Sequence, residues 1–219
     1  MNFTVIVDNA DLLLNAIWLT TLLTVVSLII STIIGAPLAV LAERGGIPAR
    51  IIAVFSWLMR AVPALVLLYL VFYGLPSFGV TVPALWTAVV ALTVQAAGYQ
   101  LEIIRGGLRA VSSNQYDAIK ALGLPPVKAW LMVVVPQALP ATIPPWFSNA
   151  TNLLKATSIA SVITIMEVTG SMNNLIALTF ATIELLLWAA AVYIVLSSII
   201  MGLQILAERI FALPGQVGR

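Results

Sequence analysis

Residues 112–136 read SSNQYDAIKALGLPPVKAWLMVVVP, a polar stretch between two long apolar runs. Asn114 can cap a helix, and Asp117 three positions later completes a capping-box-like pattern. Asp117 in a first turn also suits the helix dipole. The pattern predicts a short helix over residues 115–122, stopped by Gly123 in the left-handed conformation. Pro125-Pro126 then suits the opening of a second helix running through Val127, Trp130 and Leu131. The first helix would bring Ala118, Ile119 and Leu122 together, flanked by Asp117 and Lys120. A helix that short is unstable alone in water. It must pack on its own domain or in a partner's groove, and these residues alone leave both open.

The surroundings are those of a membrane protein. The chain has 219 residues, 62% of them hydrophobic and 8% charged, with a mean hydropathy of +1.10. Soluble domains carry roughly 25% charged residues, so this chain lacks the polar surface to face water all round. It reads as a single polytopic membrane domain over residues 1–219, with the polar loop 112–136 inside it. There are no cysteines and no histidines. That excludes disulfides, Cys/His metal sites and Ser-His-Asp chemistry. The net charge of +2 is too small to suggest a nucleic-acid binder. The N-terminus has Asp8 and Asp11 in place of a basic region, so the first apolar run is expected to be retained as a helix.

A span needs about 20 apolar residues. Five spans are predicted, at residues 12–42, 51–75, 83–105, 138–167 and 185–207. The second is interrupted by Arg60, and the fourth carries Lys155 near its middle. YGLPSFGV and TGSMNN read as turns, and Gly35-Ala36-Pro37 as a local bend in helix one. Arg44, Arg50, Arg105, Arg109, Lys120, Lys128, Arg209 and Arg219 fall on one side. Asp8, Asp11, Glu167 and Glu184 fall on the other. The positive-inside rule then puts the N-terminus outside, and the C-terminus and the 112–136 loop in the cytoplasm. Trp18, Trp57, Trp86, Trp146 and Trp188 read as interfacial anchors.

Charges within spans are costly, and they pair or line a pathway. Arg60, Glu102 and Arg105 are expected to form a structural network; Glu102 and Arg105, three apart, share a helix face. For Lys155, a structural and a substrate role both stand. LLKATSIAS offers Thr157, Ser158 and Ser161 as hydroxyls for a mid-membrane substrate wall. Taken singly, each is better explained by helix packing or by bonding to its own backbone. Glu167 reads as a solvated helix end at the outer surface, with contact to a substrate or binding protein as the second reading.

The polar loop resembles the cytoplasmic loop of the permease subunits of bacterial ABC importers. That loop has Glu-Ala-Ala, three residues, Gly, nine residues, Ile, one residue, Leu-Pro. Here Asp117-Ala118-Ile119, Gly123, Val133 and Val135-Pro136 stand at those places. Three further stretches resemble the polar amino acid branch of the family. They are RAVPALVLLYLVFYGLP, GYQLEIIRGGLRAV and PQALPATIPPWFSNATNLLKATSIASVI, so the likeness covers nearly the whole chain in order.

The resemblance implies the all-α, five-span type I ABC importer permease fold in a bacterial inner membrane, with a cytoplasmic coupling helix between helices three and four. It implies a second permease, identical or similar, two cytoplasmic ATPases that hold ATP and Mg, and an extracytoplasmic solute-binding protein. The ATPase-docking residues would be Gln115, Asp117, Ala118, Ile119, Lys120, Leu122, Gly123, Leu124 and Pro125. The substrate, a polar amino acid or close derivative, would pass Lys155, Thr157, Ser158, Ser161 and Glu167. Relatives that take cationic substrates have an acidic residue where this chain has Ala156, which argues against a cation or gives its binding to the partner permease. The chain has no GxxxxGK[ST] motif for ATP phosphates, and no catalytic set or cofactor site of its own is expected. A stand-alone secondary transporter or channel, or a permease that leaves substrate contact to its partner, are the alternatives.

Overall fold

The computed structural model describes residues 4–212, and among them all regular structure is helical. Arg219, counted above on the basic side, lies outside the described residues. A short α1 (Thr4–Asp8) leads into α2 (Ala10–Glu43), which runs unbroken through Pro37. Then follow α3 (Gly46–Ala61), α4 (Ala64–Tyr69), a π-helical turn (Leu70–Gly74) and α5 (Leu75–Ser77). After α6 (Ala84–Arg109) come α7 (Ser113–Ala121) and α8 (Pro126–Ala129). A second π-helical turn (Trp130–Val134), α9 (Val135–Ala156) and a 3₁₀ stretch (Thr157–Ile163) follow. The chain ends with α10 (Val168–Thr179) and α11 (Thr182–Phe211).

Among the described residues, four helices are long and apolar enough to cross a membrane: α2, α6, the continuous stretch Pro126–Ile163, and α11. The expected second span is a bent pair, with α3 meeting the Ala64–Ser77 segment at 102°. The break falls where Val62 precedes Pro63. A residue before proline is driven out of the α region, and Val62 adopts ψ 128°. Two expected turns are also helical. YGLPSFGV stays helical through Ser77, and TGSMNN lies within α10. Lys155 is not mid-helix; it stands in the last turn of α9, before the chain tightens into the 3₁₀ stretch.

Helix α6 is the centre of the molecule, with α2, α3 and α9 packed around it. Lipid supplies no hydrophobic force between helices, so close backbone approach through small residues must do the work. The buried stripe of α2 is Ser27, Ser31, Gly35, Ala39 and Ala42. A Cβ on Gly35 would lie 2.9 Å from Gln100 Cβ, and one on Gly98 would lie 2.7 Å from Met59 Cβ of α3. Ser56 of α3 adds an inter-helix bond, its Oγ donating to the Gly98 carbonyl at 3.1 Å. Trp146, read as a lipid anchor, instead donates its indole N–H to Thr32 Oγ1 at 3.0 Å and joins α9 to α2. Trp18, Trp57 and Trp86 do face outward.

Gly98→Val should destabilise the fold by about 1–3 kcal/mol through overpacking against Met59. Gly106→Ala, with open space at that helical position, should gain about 0.5–1 kcal/mol. Thermal unfolding of the detergent-solubilised chain distinguishes the two.

Candidate functional site

The short helix α7 has sharply defined ends. Its N-cap is Ser112, not Asn114: the Ser112 hydroxyl accepts from the Asn114 N–H at 3.4 Å. Asp117 therefore stands past the first turn, where it pairs with Lys120 at 3.4 Å. At the other end Leu124 N–H reaches the Ile119 carbonyl at 3.2 Å and Gly123 N–H reaches that of Lys120 at 3.1 Å. This is a Schellman stop, with Gly123 at φ +60°. Pro126 opens α8 as expected.

One face of α7 is held by its own domain. Tyr116 and Ile119 pack against Leu108, Val111, Val134 and Ala138, and Gln115 accepts from Gln137 of α9 at 3.2 Å. Burial, and next the Glu43 carboxylate, push the Tyr116 phenol above its usual pKa. Ile119, expected on the docking face, thus turns inward. Asp117, Ala118, Lys120, Ala121 and Leu122 remain outward, with Leu122 73% exposed.

Beside α7, the ends of α2 and α6 are clamped by charge. Glu43 Oε1 accepts from Arg105 Nε and from Arg109 Nη2, both at 2.9 Å, and Arg105 also bonds Glu102 at 3.1 Å. Arg60 takes no part: it is exposed, and its Nε donates to the Ser56 carbonyl one turn back at 3.3 Å. Glu43 supplies the centre of the network in its place. In the sequence it ends the first apolar run and has no acid or base in i,i+4 reach to mark it.

The hydroxyls of the predicted substrate wall bond to their own helix. Thr157 donates to the Leu154 carbonyl at 2.7 Å, Ser158 to Lys155 at 2.7 Å and Ser161 to Ser158 at 2.8 Å. Thr157 is fully buried, and Lys155 points outward. The polar cleft lies one to two turns earlier in α9. Gln95 and Tyr99 of α6 face Asn149, Asn152 and Ala156 of α9 across an opening of about 210 Å³. Gln95 lies eleven residues into α6, roughly 16 Å at 1.5 Å per residue, near the middle of a span. Its amide donates to the Val62 carbonyl at 3.2 Å, at the break between α3 and α4. The Asn149 amide nitrogen is buried with no partner in the protein. Buried amides are hydrogen-bonded as a rule, so this one has spare donor capacity in the cleft wall. The signal was present in the sequence: 95 and 99, and 149, 152 and 156, each share a helix face.

Glu167 is the largest departure from expectation. It is no solvated helix end but fully buried, and it caps α10. Its carboxylate accepts from Gly170 N–H at 2.8 Å, Thr169 N–H at 2.9 Å and the Tyr193 hydroxyl of α11 at 3.2 Å. The next amide, Val168 N–H, donates to Thr20 Oγ1 of α2 at 3.0 Å. Just before it, Thr164 sits at φ 68°, a left-handed position that a β-branched residue adopts only under strain.

Residues 31–210 match the family of binding-protein-dependent transport system inner membrane components. The chain belongs to this family. It is 31% identical to a nopaline transport system permease protein of Agrobacterium fabrum, over 95% of this chain and 91% of that one. It is 34% identical to an octopine transport system permease protein of Rhizobium radiobacter, over 90% and 84%. Among solved structures it is similar to a crystal structure of an amino acid ABC transporter, at 28% identity and a TM-score of 0.86 over 95% of this chain and 98% of that one. An inward-facing methionine transporter shares the fold, with a TM-score of 0.78 at 20% identity over 93% and 98%. These matches cover most of the chain, including residues 112–136 and the three longer stretches.

Glu167→Ala would strip a cap and leave buried donors unpaired, for a loss of about 2 kcal/mol. Thr164→Gly relieves the left-handed strain and should gain about 1 kcal/mol. Opposite shifts in thermal midpoint would confirm both assignments.

Proposed function

We propose that this permease is the membrane subunit of a bacterial ABC importer that moves a polar amino acid, or a close derivative, into the cytoplasm. The observation that carries the reading is α7: a capped helix outside the spans, fixed to its own domain by one face and presenting Ala118, Ala121 and Leu122 on the other. The basic end of the bundle faces the cytoplasm, by the positive-inside rule. There α7 seats in a groove on an ATPase subunit, with Gln115 and Ile119 holding it to the bundle and Asp117, Lys120, Gly123, Leu124 and Pro125 at its rim. ATP and Mg are held by two such ATPases. A second permease chain, identical or similar, completes the path, and a binding protein on the outer side delivers the substrate.

Closure of the ATPases moves α7, and the continuous stretch Pro126–Ile163 carries that movement to the cleft. Two global states, outward- and inward-facing, follow from which of them the ATPase dimer favours. The cleft between Gln95, Tyr99, Asn149 and Asn152 receives the amino acid. No carboxylate lines it, so it suits a neutral polar side chain better than a cationic one. Thr157, Ser158 and Ser161 extend this wall past Ala156, Lys155 points away from it, and Glu167 anchors its outer end.

Uptake into vesicles should require ATP, the ATPase and the binding protein; uptake driven by an ion gradient alone would overturn the reading. Ala118→Glu and Gly123→Pro should abolish ATP-driven uptake while the chain still inserts. Asn149→Leu should raise the KM for uptake about threefold to tenfold, the worth of one hydrogen bond, with ATPase docking intact.

A further inference from the structure

Two cavities share a wall at the cytoplasmic end of the bundle. The first, of about 500 Å³, runs between α2, α6 and α9 past Ala36, Ile104, Leu139 and Ile143. Its two threonines have their hydroxyl protons engaged, Thr32 on the Leu28 carbonyl and Thr142 on that of Ala138, both at 2.8 Å. The surface of this cavity is therefore apolar. The second, of about 520 Å³, is lined by Glu43, Arg44, Arg109, Ser113 and Tyr116. Val40, Leu108 and Trp130 line both. Together they form one groove, charged at the membrane surface and apolar beneath it.

The charge in the outer part is unbalanced. Glu43 is engaged by Arg105 and Arg109. Arg44, next to it, has no carboxylate within ion-pair distance among the described residues. The groove thus offers two guanidinium groups against one carboxylate. A protein helix laid here would need an acidic side chain placed at the level of Arg44, whereas a phospholipid carries its phosphate beside its acyl chains. A free phosphate would meet Arg44 but leave the apolar part empty.

We infer that this groove is a binding site for an anionic phospholipid, its headgroup phosphate at Arg44 and Arg109 and one acyl chain in the apolar cavity. Basic pockets between helices on the cytoplasmic side suit such headgroups, and an Arg–phosphate contact can be bidentate. Ser113 and Tyr116 belong to α7, so the headgroup also sits against the root of the docking helix.

The test uses the full chain in nanodiscs of phosphatidylcholine carrying either brominated phosphatidylglycerol or brominated phosphatidylcholine. Trp130 lines both cavities, and subtraction of a Trp130→Phe variant isolates its fluorescence. Brominated phosphatidylglycerol should quench it several-fold more strongly than brominated phosphatidylcholine, and Arg44→Gln should lower that preference about fivefold. Native mass spectrometry provides a second reading that does not need the Trp130 variant. Phosphatidylglycerol should be retained on the parent chain and lost from Arg44→Gln. Equal quenching by both lipids, or a preference unchanged in Arg44→Gln, would overturn the headgroup assignment. No quenching by either lipid in the assembled importer would mean that a protein subunit covers the groove, and would overturn the site itself.

Discussion

Between α2 and α6 the backbones approach so closely that a single methyl group on Gly35 would lie 2.9 Å from Gln100 Cβ. In lipid, apolar side chains are as well solvated by the bilayer as by one another, so two greasy helices have little reason to associate unless their backbones can touch. The small stripe on α2 provides that contact. Once α2 and α6 are held side by side in parallel, Glu43 lies over Arg105 and Arg109, and the charged end of the bundle closes. The same contact leaves other faces of α6 free for α3 and α9. The polar cleft and the seat of α7 both depend on α9 lying there.

A second constraint is the backbone's own polarity. Inside a membrane each freed carbonyl or N–H needs a partner from the protein, and two of the breaks here are met by side chains. The break at Val62–Pro63 frees a carbonyl, which Gln95 meets. The turn after the 3₁₀ stretch exposes the first N–H groups of α10, which Glu167 and Thr20 meet. The residues that perform these repairs stand beside the cleft or above it, so the polar groups that could receive a substrate and those that permit a non-helical backbone are neighbours.

The long apolar helices and the C-terminal stop of α7 were legible because each is local: hydropathy along one segment, a Gly, a Pro pair. The start of α7 was not, because Ser112 and Asn114 are both capping residues and only the folded backbone shows which one is used. Glu167 was misread because its partners are remote. Thr20 is 148 residues away from Val168, and Tyr193 is 26 away from Glu167, and nothing near Glu167 announces either. Arg60 was misplaced in the charge network for the related reason that a charge in a span does not say which side of the helix it faces. The cleft was missed narrowly. The hydroxyls of Thr157, Ser158 and Ser161 spend their protons on their own helix, whereas the Asn149 amide nitrogen keeps its donor capacity.

The composition of α9 has a mechanical meaning. Pro140, Pro144 and Pro145 lie inside it, and each lacks the N–H that would bond the carbonyl four residues back. A π-helical turn precedes them, so the rod joining α7 to Asn149 has its stiffness removed in stages. Such a rod flexes under a push at one end and does not tilt as a lever. Displacement at the root of α7 would then be spent as curvature shared along the prolines, and the cleft would feel a change in the width of its α9 wall more than a change in its height.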